Sequence, residues 1–131
     1  MTCQVFAPLL LARPGGRVVI TSSISAIHGQ DLRAAYAATK AGLSGLVRAL
    51  AVEWGPLGVN VNAVGPGVIE TPLTKPFFED ETFRASVLAK IKLGRIGAVE
   101  DLMGAALYLA CDASSLVTGT SLVVDGGWTA D

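Results

Sequence analysis

The run RVVIT at residues 17–21 sets two valines and an isoleucine side by side with no polar residue between them. A strand with one wet face alternates apolar and polar residues. An unbroken β-branched run therefore predicts a strand covered on both faces, the condition of a parallel sheet. Two later runs predict further strands: VNVNAV at 59–64, with inward valines alternating with asparagines, and SLVVD at 121–125, closed by Gly126 and Gly127. Parallel neighbours need a crossover, and the segments between the runs are long enough to supply helices.

The longest of these segments is residues 34–54. Leu43, Val47, Leu50 and Trp54 recur at helical spacing and form an apolar stripe facing the sheet. Ala41, Gly42, Gly45, Leu46 and Ala49 occupy other faces, so a second helix from another subunit is expected against this one. Residues 2–13 read as the tail of a helix stopped by RPGG, and VEDLMGAALYLAC at 99–111 as another, with Leu102, Ala106 and Leu109 on one side. Pro66 and Pro72 predict that GPGVIETPL is irregular, and the charged stretch after it predicts one or two short helices in a mobile flap at about 73–93. Strand and helix thus alternate, the pattern of right-handed crossovers in an α/β fold. The free edge of RVVIT calls for a neighbour of its own.

At 131 residues the chain suits one folding unit. Its hydrophobic share is 51% against 16% charged, more apolar than a lone domain of this size needs, so some surface should be covered by another chain or a further segment. Ten basic residues against eleven acidic ones, without a basic cluster, argue against nucleic acid and anionic membranes as partners. Cys3 and Cys111 have no metal or redox spacing and read as buried free thiols in a reducing compartment. The apolar VFAPLLLA has its arginine after the run, unlike a secretory signal, and reads as mature structure. No apolar run approaches the roughly eighteen residues of a membrane span.

The chemistry concentrates in YAATK. Tyr36 and Lys40 stand four apart, so a helix presents the phenol and the ammonium to one patch of space. An ammonium beside a phenol favours the phenolate and moves that group toward acid/base work near neutral pH. The plainer alternative is a tyrosine packed by the alkyl stem of its neighbour. Ser23 lies thirteen residues before Tyr36, at the carboxyl end of a predicted parallel strand, where open α/β sheets build their sites. His28, the sole histidine, lies in the intervening loop and reads as a solvent-facing residue, with substrate contact as the alternative. EDETFR reads as a solvated helix face. Asp125, Gly126 and Gly127 read as a compact turn and subunit contact. Trp128 reads either as a subunit contact or as packing over its own sheet.

Ser23, Tyr-x-x-x-Lys, NVNAVGPGVIETPL, LGRIG and ASSLVTGTSLVVDGGW, in that order, resemble the C-terminal half of short-chain dehydrogenases/reductases over essentially the whole chain. The resemblance implies the C-terminal half of a Rossmann-like doubly wound parallel sheet, with residues 1–131 a single partial domain and its N-terminal half absent. It implies a catalytic set of Ser23, Tyr36 and Lys40. Ser23 would hold the substrate oxygen, Tyr36 would exchange its proton, and Lys40 would tune the tyrosine and grip the nicotinamide ribose. Ser22 is the register rival to Ser23. Pro66, Gly67, Val68 and Thr71 would line the nicotinamide of NAD or NADP, and Ser25 and His28 would be further substrate contacts. No metal is implied. The implied partners are a small alcohol or ketone and further copies of the chain, through the 34–54 helix and the C-terminal strand, in the cytoplasm. The tail is similar to those of gluconate 5-dehydrogenase-like sugar-acid and polyol dehydrogenases, and of 3-oxoacyl-carrier-protein reductases.

The same resemblance puts the family's glycine-rich turn and its catalytic asparagine before Met1. Three readings follow: a truncated piece of an NAD(P)-dependent oxidoreductase, a half enzyme needing an N-terminal partner chain, and a non-catalytic oligomerisation or regulatory module.

Overall fold

Helix α1, Thr2–Leu10, gives way to strand β1, Arg17–Thr21, through Pro14 and a glycine at φ +95°, Gly15, which only glycine adopts without strain. The computed structural model describes residues 2–130. The chain continues with α2, Ala34–Trp54; β2, Asn60–Pro66; α3, Glu81–Leu88; α4, Glu100–Ala110; and β3, Ser121–Val124. Short 3-10 turns occupy Ile24–Ala26, Gly55–Leu57, Lys75–Glu79 and Asp112–Ser114. The strands form one parallel sheet in the order β1-β2-β3, with Val18 opposite Val61 and Val64 opposite Leu122. This is the predicted α/β architecture, and α2 spans the residues expected of it.

Two departures in β2 have clear causes. Pro66 was expected to break the strand, yet it is the last residue of β2, opposite Val124. The Asn60 N–H donates to Gly16, on the β1 side, and the N–H groups of Ala63 and Gly67 donate to Thr120 and Val124, on the β3 side. Alternation therefore points position 66 toward β1, whose last residue, Thr21, lies opposite Val64, so the missing N–H falls at the very end of the ladder, where a proline is tolerated. The asparagines do not form a wet face either. Asn62 is 1% exposed, and its amide donates to the Val117 carbonyl at 2.7 Å while its oxygen accepts from the Thr120 N–H. Both faces of the central strand are covered, so a polar residue there is retained only because its hydrogen bonds are made inside.

Two cores flank the sheet. Val47, Leu50, Ala51 and Trp54 of α2 pack on Val59, Val61 and Ala63, with Cys3 and Leu10 of the first helix at the margin. Each fully buried side chain of this size contributes about 1.5–3 kcal/mol. The second core joins Ile24, Val87, Ile91 and Trp128. Trp128 thus packs inside its own chain. The cysteines are free but half-buried, not fully buried as expected: Cys3 lies on α1 at the margin of the first core and Cys111 at the end of α4. In α4 only Leu109 is buried; Ala106 of the predicted stripe is exposed.

The remaining apolar surface is localised. Among the described residues β1 pairs only with β2, and beside its free edge lies a groove of about 380 Å³ lined by Phe6, Leu9, Leu10, Val18 and Val19. On α2, residues Ala34, Ala35, Ala38, Ala41, Gly42, Ala49 and Val52 face solvent, so the face opposite the sheet is uncovered among the described residues. No helix among the described residues is long and apolar enough to cross a membrane.

Candidate active site

The site forms where β1 runs out. Ser22, directly after the strand, is 3% exposed, and its hydroxyl donates to the Lys40 carbonyl at 3.3 Å. That bond ties α2 to the strand end and engages the Ser22 hydroxyl within the chain. Ser23 N-caps the Ile24–Ala26 turn in extended backbone, its Oγ accepting the Ser25 N–H at 3.1 Å. The oxygen is thereby oriented while its own O–H hydrogen stays available. The turn packs against α2.

On α2, Tyr36 stands in the first turn and Lys40 one turn later, with the ammonium 5.7 Å from the ring centroid. The Lys40 ammonium also donates to the Thr21 carbonyl at 3.0 Å, which fixes it over the strand end with donors to spare. Tyr36 is 42% exposed, so this face is open. Ser25 is buried and its hydroxyl donates to Gln30 Oε1 at 3.2 Å, shaping the loop from inside. His28 is half-buried, not fully turned to solvent as expected, because its ring meets Trp128 edge-on at 6.4 Å.

Beyond β2, Gly67 is required by crowding: a Cβ there would lie 2.7 Å from the Asp125 Cα. The Val68 carbonyl accepts the Gly97 N–H at 3.0 Å, while its own N–H has no acceptor among the described residues. The Thr71 hydroxyl shares a 3.1 Å hydrogen bond with Thr74. A cavity of about 130 Å³ lies behind this segment, between Val68, Ile69, Ile91, Leu93 and Gly126, away from Tyr36.

The family model described as enoyl-(acyl carrier protein) reductase matches residues 1–129. The chain belongs to the short-chain dehydrogenase/reductase family. A 2-dehydro-3-deoxy-D-gluconate 5-dehydrogenase from Pseudoalteromonas atlantica is 43% identical over 119 residues, 91% of this chain and 47% of that protein. A 3-oxoacyl-[acyl-carrier-protein] reductase from Thermotoga maritima is 40% identical over 124 residues, 95% of this chain and 50% of that protein. The crystal structure of a gluconate 5-dehydrogenase from Burkholderia cenocepacia in complex with NADP and tartrate superposes with a TM-score of 0.94 at 33% identity, covering 98% of this chain and 51% of that one. The chain spans about half the length of the relatives it matches. Short-chain dehydrogenases/reductases use NAD(P), and this chain is part of an enzyme family of dehydrogenases and reductases.

In this dehydrogenase/reductase chain the sequence reading missed Asn62, Lys90 and the reach of Trp128. Asn62 stood inside an alternating pattern that mimics a half-wet strand, and Lys90 meets Trp128 only through tertiary packing. Asp125 behaves as expected of a turn residue. Its carboxylate accepts the N–H groups of Gly127 and Thr129 and the Thr129 hydroxyl. Burial pushes its acidity down, but the hydrogen bonds from the Thr129 hydroxyl, the Thr129 N–H and the Gly127 N–H outweigh it, and the carboxyl titrates below its ordinary value. A folded value below the unfolded one, about 3.9 for an aspartate, stabilises the turn at all pH above that value. The contribution disappears as pH falls through the lowered folded value. Amide exchange at Gly127 and Thr129 should therefore stay slow down to the ordinary carboxylate range and accelerate only below it.

Proposed function

We propose that this chain is the catalytic and nicotinamide-side half of an oxidoreductase that interconverts a secondary alcohol and a ketone, with Tyr36 as acid/base. The reading rests on one observation above all: the Lys40 ammonium is anchored on the Thr21 carbonyl and held over the Tyr36 ring, beside the strand end that carries Ser23. The Ser23 hydroxyl donates to the substrate oxygen. The Tyr36 phenol gives that oxygen a proton in reduction and takes it back in oxidation. The ammonium of Lys40 offsets the negative charge left on the phenolic oxygen and offers its remaining donors to ribose hydroxyls. Hydride exchange at carbon is the chemistry that a nicotinamide supplies when bound.

The end of β2 and the segment after it suit that group. Pro66 and Gly67 bring bare backbone close, and the uncommitted Val68 N–H is a donor for a carboxamide oxygen. Thr71 supplies the second contact once its hydroxyl turns from Thr74. Ser25 holds the substrate loop through Gln30. Residues 1–131 act as one partial domain, in which the segment at 73–93 is the flap that closes over substrate. The small-residue face of α2 and the free edge of β3 are the surfaces on which copies of the chain associate. The two free thiols fit a reducing cytoplasm.

The test is turnover of secondary alcohols with NAD and NADP by the chain joined to the nucleotide-binding N-terminal half of a relative. Loss of the acidic proton relay with the cofactor site intact is the wrong signature for Lys40→Ala. That variant should lose about a hundredfold in turnover and also bind NAD(P)H about tenfold more weakly. A joined protein that binds NAD(P)H yet turns over no alcohol or ketone would sink the catalytic reading and favour the non-catalytic module.

A further inference from the structure

Trp128 gathers two nitrogen donors from distant parts of the chain. The Lys90 ammonium, just past α3, lies 5.2 Å from its ring centroid, and the His28 imidazole meets the ring edge-on at 6.4 Å. The indole itself is 7% exposed and packs with Ile24, Val87 and Ile91. Ile24 directly follows Ser23, so this platform packs against the turn that Ser23 caps. A lysine is normally free to sample many rotamers, and a cation held at ring distance is localised by it.

Charge around the platform is unbalanced. No carboxylate pairs with Lys90 or His28 among the described residues. Three acidic groups of the surrounding segments are committed elsewhere. Asp125 accepts from Gly127 and Thr129, Asp101 from Arg95 and Ala98, and Asp80 caps α3 through the Thr82 and Phe83 amides. Glu79, in the turn before α3, Glu81, at the start of α3, and Asp31, in the loop after His28, are exposed.

We propose that Lys90 and His28, assembled on Trp128, bind the carboxylate of an anionic substrate whose reacting carbon lies at Ser23 and Tyr36. The inference rests on the proposed alcohol and ketone chemistry and adds the substrate's charge. A carboxylate has two acceptor oxygens and is matched by two separate donors. A phosphate has three, and sites for it add an arginine fork or a nest of backbone N–H groups; the N–H groups of Gly127 and Thr129 on either side of this indole are already taken by the Asp125 carboxylate. The flap contributes Lys90 and the loop after Ser23 contributes His28, so the carboxylate also bridges the two segments that enclose the substrate.

The indole reports directly. In the uniformly labelled chain, the Trp128 indole N–H resonance, assigned through Trp54→Phe, is followed by NMR during titration with D-gluconate and with D-sorbitol, its uncharged counterpart of equal carbon number. Gluconate should shift the resonance saturably and sorbitol should not, while the Trp54 indole, in the other core, stays still. Lys90→Gln should weaken gluconate binding about tenfold, and Lys90→Arg should largely retain it. Equal responses to the two ligands, no response to gluconate, or an undiminished response in Lys90→Gln overturns the proposal. Turnover of an uncharged secondary alcohol by the joined enzyme is a separate readout: its presence without gluconate binding would leave the oxidoreductase reading standing and remove this one.

Discussion

Tyr36→Phe in the joined enzyme should lower turnover by about two to four powers of ten while changing NAD(P)H affinity no more than about twofold. The substitution removes one oxygen and keeps the ring, so the contact that holds the Lys40 ammonium at 5.7 Å survives, as does the anchor on the Thr21 carbonyl. Lys40 then remains in place for the ribose, and the only function lost is proton exchange at the substrate oxygen. Steady-state kinetics in both directions, together with NAD(P)H fluorescence titration, make the comparison. Lys40→Ala supplies the contrast, since it should damage both quantities. Unchanged turnover in Tyr36→Phe would leave the acid/base role without support, and a parallel collapse of cofactor affinity would show that the ring, not its hydroxyl, matters.

Trp128→Ala should destabilise the chain by about 3–5 kcal/mol, the usual cost of emptying a large buried aromatic site. The loss should also be uneven. Trp128 packs with Val87 and Ile91 of the 73–93 segment and Ile24 of the turn after Ser23, with Phe78 and Val68 at the margin. Its removal unpins α3 from the rest of the molecule before it touches the first core, where Trp54 packs with Val47 and Val59. Hydrogen exchange should therefore quicken first along Glu81–Leu88 and only later in β2. Trp54→Ala should give a loss of similar size with the opposite order, β2 and α2 opening together. Uniform acceleration across both cores in Trp128→Ala would mean that the flap is not a separately opening unit.

Both variants depend on contacts of different visibility in the sequence. Tyr36 and Lys40 lie four residues apart on one helix, and helical geometry alone brings them together. The placement of Ser23 was visible through its position after RVVIT, because the end of a parallel strand is fixed by the sheet. Ser22 and Ser23 could not be separated by type, being the same residue side by side. The pleat separates them: alternate residues leave a strand on opposite sides, and Ser22 turned inward to the Lys40 carbonyl. Pro66 and Asn62 were misread for a related reason. A proline is tolerated or not according to which neighbour its missing N–H would face, and an asparagine is buried or not according to whether the 114–120 loop comes back over it.

The sequence by itself determined the parallel α/β order, the span of α2 and the pairing of Tyr36 with Lys40, because those follow from periodicities of two and 3.6 residues that act between near neighbours. Only the tertiary structure decided that Trp128 turns inward, that Lys90 and His28 meet on it, and that Ser22 is spent as a tether. Those contacts join residues as much as a hundred positions apart, and which of the many apolar or charged side chains meet at that range is settled by how the whole set packs, not by any local pattern.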